Sequence, residues 1–144
     1  MRSFSSAGWR RRCGLAVLAA VALLACQQKS PEEELLKKVE PVGSWLATLQ
    51  MLGEKWNANS VPTSFVKTTL SAAGKEFEKA AEEAAKSRAR TAVRDPLRQL
   101  VAEAQAASAD LRRAVEADDH PGVVRQAGRL AALHQRFEAL RGPS

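Results

Sequence analysis

Residues 96–140, PLRQLVAEAQAASADLRRAVEADDHPGVVRQAGRLAALHQRFEAL, decide the fold of this chain. They hold two stripes in which apolar or small side chains recur every three or four positions, the pattern of a helix with one buried face. The first stripe is Leu97, Val101, Ala104, Ser108, Leu111 and Val115, and the second is Val123, Ala127, Leu130, His134 and Phe137. The turn-forming run 118–122 separates them. The stretch therefore predicts two amphipathic helices joined by a short turn.

Two further stripes with the same spacing lie upstream. The first is Leu35, Val39, Val42, Leu46, Leu49, Gly53 and Trp56, and the second is Val66, Leu70, Ala73, Phe77, Ala80 and Ala84. Pro41 interrupts the first stripe, because a proline inside a helix removes a backbone donor. Either the helix kinks at Pro41, or a short helix ends near Val39 and a new one starts with Pro41 in its first turn.

Turn and capping residues predict the remaining helix boundaries. Ser60 or Thr63 is available to cap the second long helix after a turn at residues 57–60. Asp95 is a plausible N-cap for the third, with Pro96 at its first position. The basic segment 87–94 is either a loop or a continuation of the second helix.

The four stripes and the short loops between them predict an all-α fold, an antiparallel up-down four-helix bundle over residues 34–144 with helices crossing at about 20°. Alanine fills many inward positions, so the helices can approach closely but the apolar area per residue is small. We therefore expect the large aromatic side chains to supply much of the burial energy: Trp45, Trp56, Phe65, Phe77 and Phe137.

The first 25 residues have the order of a secretory signal peptide. Arg2 and the arginines at 10–12 precede an apolar run over residues 14–25, and a small residue and a cysteine follow. The run is about a dozen residues long, whereas a membrane-spanning helix needs about 20. Residues 1–25 are therefore predicted to be a cleaved signal rather than a membrane anchor.

The end of this signal, Leu23-Leu24-Ala25-Cys26, resembles the lipobox of bacterial lipoproteins. The resemblance implies cleavage before Cys26, a thioether-linked diacylglycerol on its sulfur and an acylated amino terminus. Residues 26–33 would then be the lipidated terminus and a polar tether, holding the domain close to the membrane. By the same resemblance, Gln27 favours the outer membrane, facing the periplasm. An ordinary secreted protein with an incidental cysteine is the alternative.

Removal of the signal changes the charge argument. The whole chain carries 22 Lys+Arg and 16 Asp+Glu, a formal charge of +6, but four arginines lie in residues 1–25. The remainder has 18 basic and 16 acidic side chains, or +2, which gives no reason to expect a nucleic-acid partner. Cys13 leaves with the signal and Cys26 is taken by lipid, so the predicted domain has no disulfide.

The inventory of reactive side chains argues against an enzyme. His120 and His134 are the only histidines, too few for a zinc site of the usual Cys/His kind. The sequence contains no Gly-x-Ser-x-Gly turn, phosphate-binding loop or dinucleotide-binding glycine pattern. The acidic pairs at 82–83 and 118–119 are predicted to be solvated. We expect no protein-borne catalysis and no metal site.

His134 is the one polar side chain that raises a cofactor question. Residues 96–141, and 130–137 above all, resemble the last helices of cytochrome c-prime and related haem-b bundles, in which a histidine near the end of helix four binds haem iron. His134 and Phe137 match that pattern, but Leu130 and Leu133 replace the haem-attachment cysteines. The resemblance therefore implies at most a non-covalent haem. Met51 lies toward the far end of the first long helix, badly placed as a second ligand. His134 at the core margin, or bound to a backbone carbonyl, is the alternative.

Three functions follow from these observations. The first, which we favour, is a membrane-tethered, non-enzymatic bundle with a protein-interaction or structural role in the cell envelope. Trp45, Leu36 and Leu52 form a second apolar strip, which either docks a partner helix or is covered within the bundle. The second function is haem binding through His134, and the third is carriage of an apolar ligand in the alanine-rich core. His120, before Pro121, is expected to be a loop or capping residue.

Overall fold

The computed structural model describes residues 29–142, so the predicted signal peptide and Cys26 lie outside the described residues. Residues 31–142 belong to one compact unit. The described part of the chain is all-α, as predicted, and contains five helices without a strand. They are α1 (Pro31–Lys38), α2 (Pro41–Asn57), α3 (Thr63–Lys86), α4 (Thr91–Glu116) and α5 (His120–Arg141).

Pro41 starts a helix and does not kink one. α1 ends at Lys38, and α2 begins with Pro41 in its first turn, where the missing backbone donor costs nothing. A hydrogen bond spans the junction between the two helices: the backbone N–H of Val42 donates to the carbonyl oxygen of Val39 at 2.9 Å. α1 itself begins at Pro31, so its first turn includes residues that we had assigned to the tether.

The predicted stripes form the core. The side chains of Leu46, Leu49, Phe77, Leu130 and Phe137 are fully buried, and the other stripe residues are buried with them except His134, which is half-buried. Phe65 is a correction, because 54% of its surface is exposed. It precedes the buried Val66 by one residue, which turns it about 100° away from the core on a helix of 3.6 residues per turn.

The cap of α3 differs from the prediction. Neither Ser60 nor Thr63 caps the helix: Pro62 occupies the N-cap position and no side chain bonds to the first turn. The hydroxyl of Thr63 instead accepts a hydrogen bond from Trp56 Nε1 at 3.0 Å, and Ser60 donates to Ala58 O at 3.4 Å. A buried indole needs a partner for its N–H, and Thr63 supplies it.

α4 starts earlier than predicted. Arg90, and not Asp95, is its N-cap residue, and Pro96 lies inside the helix. Residues 87–90 form the connection to α3, so the loop alternative holds for the first half of the basic segment. Ala89 is buried and Val93 half-buried, in register with the stripe that begins at Leu97. Their burial extends the apolar face one turn upstream and favours helix before the proline.

α5 begins inside the predicted turn. The carboxylate of Asp119 caps it by accepting from Gly122 N at 2.9 Å. Asp118 has φ 53°, a left-handed conformation that an aspartate tolerates better than most residues. His120 is thus the first residue of α5 and not part of the loop.

α2 and α5 pack closely at two glycines of α2. A methyl carbon placed on Gly43 would lie 2.9 Å from Cδ1 and Cε1 of Phe137, and one placed on Gly53 would lie 3.3 Å from Ala127 Cβ. Near the ends of the same pair, Arg141 bonds to Glu40 at 3.4 Å. The missing side chain of Gly43 makes room for the ring of Phe137, which is fully buried.

Arginine pairs reinforce the contact between α4 and α5. Arg136 donates to both oxygens of Glu103, at 2.7 and 3.3 Å. The bond from Arg136 lowers the pKa of the Glu103 carboxyl below its usual value. Both side chains are partly exposed, so the pair adds little stability beyond orienting the two helices. None of the helices in residues 29–142 has the length and apolar character that crossing a membrane requires.

We expect Gly43→Ala to lower the free energy of unfolding by about 1–3 kcal/mol, because the new methyl group collides with a packed aromatic ring. Gly128→Ala is the matched control. It lies on exposed helix with nothing within 4 Å of the added methyl, so it should raise stability by up to about 1 kcal/mol. Urea unfolding followed by circular dichroism measures both. Equal effects of the two substitutions would show that the α2–α5 contact is not tight.

Candidate functional site

His134 lies at the seam between α2 and α5. Its ring is half-buried, and Nδ1 is 3.1 Å from the carbonyl oxygen of Gly43. A carbonyl accepts, so this contact places the proton on Nδ1 when it is a hydrogen bond. This is one of the two alternatives to haem ligation that the sequence left open: a histidine satisfied by a backbone carbonyl.

The contact between α2 and α5 beside His134 is closely packed. Phe137, one turn later on α5, occupies the space opposite Gly43 within 2.9 Å of where a side chain would begin. Leu130 and Leu133, which replace the cysteines of the resemblance, are buried core residues. A flat macrocycle inserted beside His134 from this side would have to separate α2 from α5. The residues present therefore do not fit a haem without rearrangement of the bundle.

Met51 does not complete a haem site. It lies eight residues after Gly43 on α2, about 12 Å along the helix axis, and 52% of its surface is exposed. Among the residues that the structure describes, no group of three His, Cys, Asp or Glu side chains could hold a metal ion.

The other histidine, His120, belongs to a cluster of side chains where α2 ends and α5 begins. The sequence did not predict this cluster. The ring of His120 stacks on Trp56 with centroids 4.8 Å apart and an interplanar angle of 27°. His120 Nδ1 lies 2.9 Å from Asn57 Oδ1, and Trp56 Nε1 donates to Thr63. One aromatic pair thereby joins the ends of three helices. Its sequence signal was weak, because the pairing of Trp56 with His120 depends on topology.

The second apolar strip is packed within the bundle for the most part. Leu52 is buried, and Trp45 is half-buried with its apolar surface against the core. Leu36 is half-buried. The strip therefore follows the alternative in which neighbouring helices cover it.

The exposed apolar side chains lie elsewhere. Val124, 56% exposed, borders a shallow groove between α2 and α5 whose floor is made of small residues, and Phe65 lies on the first turn of α3. Scattered exposed side chains of this kind are normal on a soluble surface and assign no function by themselves.

The two histidines thus have structural partners, and the predicted lipidation site, Cys26, lies outside the described residues. Compared with protein-family models, with curated proteins and with solved structures, the chain gives no match.

Proposed function

We propose that this chain is a bacterial envelope lipoprotein, anchored by lipid on Cys26, whose helical bundle has a non-enzymatic protein-interaction or structural role. The observation that carries the proposal is the sequence Leu23-Leu24-Ala25-Cys26 after a basic and then an apolar run. A compact helical unit begins only five residues later, at Pro31. The proposed location is the outer membrane, facing the periplasm, because Gln27 follows the cysteine.

The proposal includes the topology of the bundle, which we take to be antiparallel and up-down. The contacts between neighbouring helices support this. Gly43 of α2 faces Phe137 near the end of α5, whereas Gly53 faces Ala127 nearer its start. Arg136 and Arg129 of α5 bond in the same reversed order to Glu103 and Asp110 of α4. Lys67, early in α3, pairs with Glu116 at the end of α4.

The non-enzymatic part of the proposal rests on the side chains themselves. His120 and His134 bond to an amide and a carbonyl, the contacts of structural histidines. The buried polar side chain Ser108 donates to Ala104 O at 2.8 Å, as a serine within a helix commonly does. The two histidine contacts join α2 to α5, and the Ser108 hydroxyl is used within α4, which suits a module that presents a stable surface.

Haem binding at His134 is the second candidate. The contact that favours it is the Nδ1 bond to Gly43 O, since metal-binding histidines usually give their other ring nitrogen to such a partner. The close packing of Gly43 against Phe137 argues against it more strongly. It is the alternative that a binding experiment tests.

We expect Cys26→Ala to abolish incorporation of labelled palmitate when the full chain is expressed in a bacterial host. The thioether and the cleavage before it both depend on this sulfur. Cys13→Ala is the matched control, because it removes the other cysteine and should leave labelling and processing intact. Labelling that persists in Cys26→Ala would contradict the proposal.

We expect no saturable change in the Soret band when haem is added to the full chain, and the same flat titration for His134→Ala. The physical reason is the close packing of Phe137 against Gly43 beside His134. One-to-one binding that disappears in His134→Ala would replace the proposed function with a haem-dependent one. Absorbance spectra recorded over a haem titration make the measurement.

A further inference from the structure

The connection between α3 and α4 concentrates positive charge. Residues 86–98 contain five basic side chains and one acidic side chain, Asp95. We call the basic set the basic edge: Lys86, Arg88, Arg90, Arg94 and Arg98. Acidic side chains lie beside this cluster, in the first turn of α1 (residues 32–34) and near the end of α3 (residues 82–83). Glu34 and Glu83 line the cleft next to the basic edge, and both pair with Lys38.

The basic edge lies where the domain begins. Pro31 at the start of α1 lines the same cleft as Lys86 and Arg88, a space of about 390 Å³ between α1 and the end of α3. Arg90 Nε donates to Glu32 at 2.8 Å, and the backbone N–H of Arg90 donates to the same oxygen at 3.2 Å. The basic edge is therefore fixed beside the first turn of the domain.

Two of its arginines have no described acidic partner. Lys86 pairs with Glu82, Arg90 with Glu32 and Arg94 with Asp95. For the exposed Arg88 and Arg98, no ion pair is found within residues 29–142. Arg94 and Arg98 are one turn apart on α4, so their guanidinium groups share a side of the helix.

The ion pairs of the basic edge differ in strength. The bond from Arg90 lowers the pKa of Glu32 below its usual value, so this carboxylate stays ionised and holds Arg90 to α1. The Lys86–Glu82 pair is about 70% exposed on both sides, and pairs of this kind exchange readily with solvent or with other ions. An anionic surface can therefore compete with Glu82 for Lys86, which lines the same cleft as Arg88.

We propose that the basic edge binds the anionic phospholipid surface of the membrane that carries the protein. The nearness of that surface rests on the proposed function. Only the four residues 27–30 lie between Cys26 and Pro31, so a lipid on Cys26 keeps the start of α1 within about 18 Å of the headgroups. Phosphodiester headgroups match the planar, two-pronged donor of arginine, and each basic residue near such a surface adds to the attraction.

The experiment uses the full chain with Cys26→Ser, which cannot be acylated, so that its result does not depend on lipidation. Sedimentation with vesicles of phosphatidylcholine and roughly one-third phosphatidylglycerol gives the half-saturating lipid concentration. Arg88→Gln/Arg98→Gln is the test variant. Lys55→Gln/Lys75→Gln removes the same charge from exposed positions on α2 and α3 outside the basic edge and is the matched control.

We expect the test variant to need about ten times more lipid than the control variant for half-saturation, and the difference to vanish in high salt or on pure phosphatidylcholine. Arg88→Lys/Arg98→Lys, which keeps the charges, should restore most of the binding. The N-terminal residues contribute equally to every variant, so the comparison isolates the basic edge.

Equal half-saturation of the test and control variants would overturn the proposal, as would an equal loss on pure phosphatidylcholine. Circular dichroism checks that the exposed substitutions leave the fold intact. If the vesicle experiment shows no effect of the test variant while the unmodified chain is labelled by palmitate at Cys26, membrane binding by the basic edge alone is refuted. Lipid-dependent binding without palmitate labelling would refute the anchor alone.

Discussion

The close approach of α2 and α5 is the contact on which the rest of the bundle depends. Gly43 leaves the space that Phe137 fills, and the carbonyl of the same glycine receives the ring of His134. A larger residue at position 43 would push α5 outward and break both contacts together. Because packed interiors resist such displacement, one missing side chain sets the distance between two helices over several turns.

Small side chains also allow close packing in the middle of the bundle. Ala73, Ala104 and Ala107 are completely buried, and so is the large ring of Phe77. Alanine at inward positions shortens the distance between helix axes and so takes up the room that a bound apolar ligand would need. The composition that suggested a carrier is therefore better explained by close packing around a few large side chains.

The periodic stripes predicted the helices well because burial of one face is a property of local sequence. Boundaries were harder, since capping and loop length depend on contacts with distant residues. Thr63 could not be recognised as the partner of Trp56, nor Arg90 as the start of α4, before the helices were placed together. Phe65 shows a different limit: its size suggested burial, but its position one residue before Val66 decided its exposure.

The distribution of charge along the chain matters as well as the net charge. Four of the arginines lie in the proposed signal, and the charges of the rest of the chain nearly balance, yet residues 86–98 hold five basic side chains and one acidic side chain beside the first helix. The four-residue link between Cys26 and Pro31 is short compared with α2, whose 17 residues span about 25 Å. With lipid on Cys26, the end near Pro41 is held to the membrane while the end with Trp56 and His120 can extend away from it. Under this proposal the short link brings the exposed Arg88 and Arg98 near the headgroups, and the two attachments together would orient the bundle, whereas a longer tether would leave it free to turn.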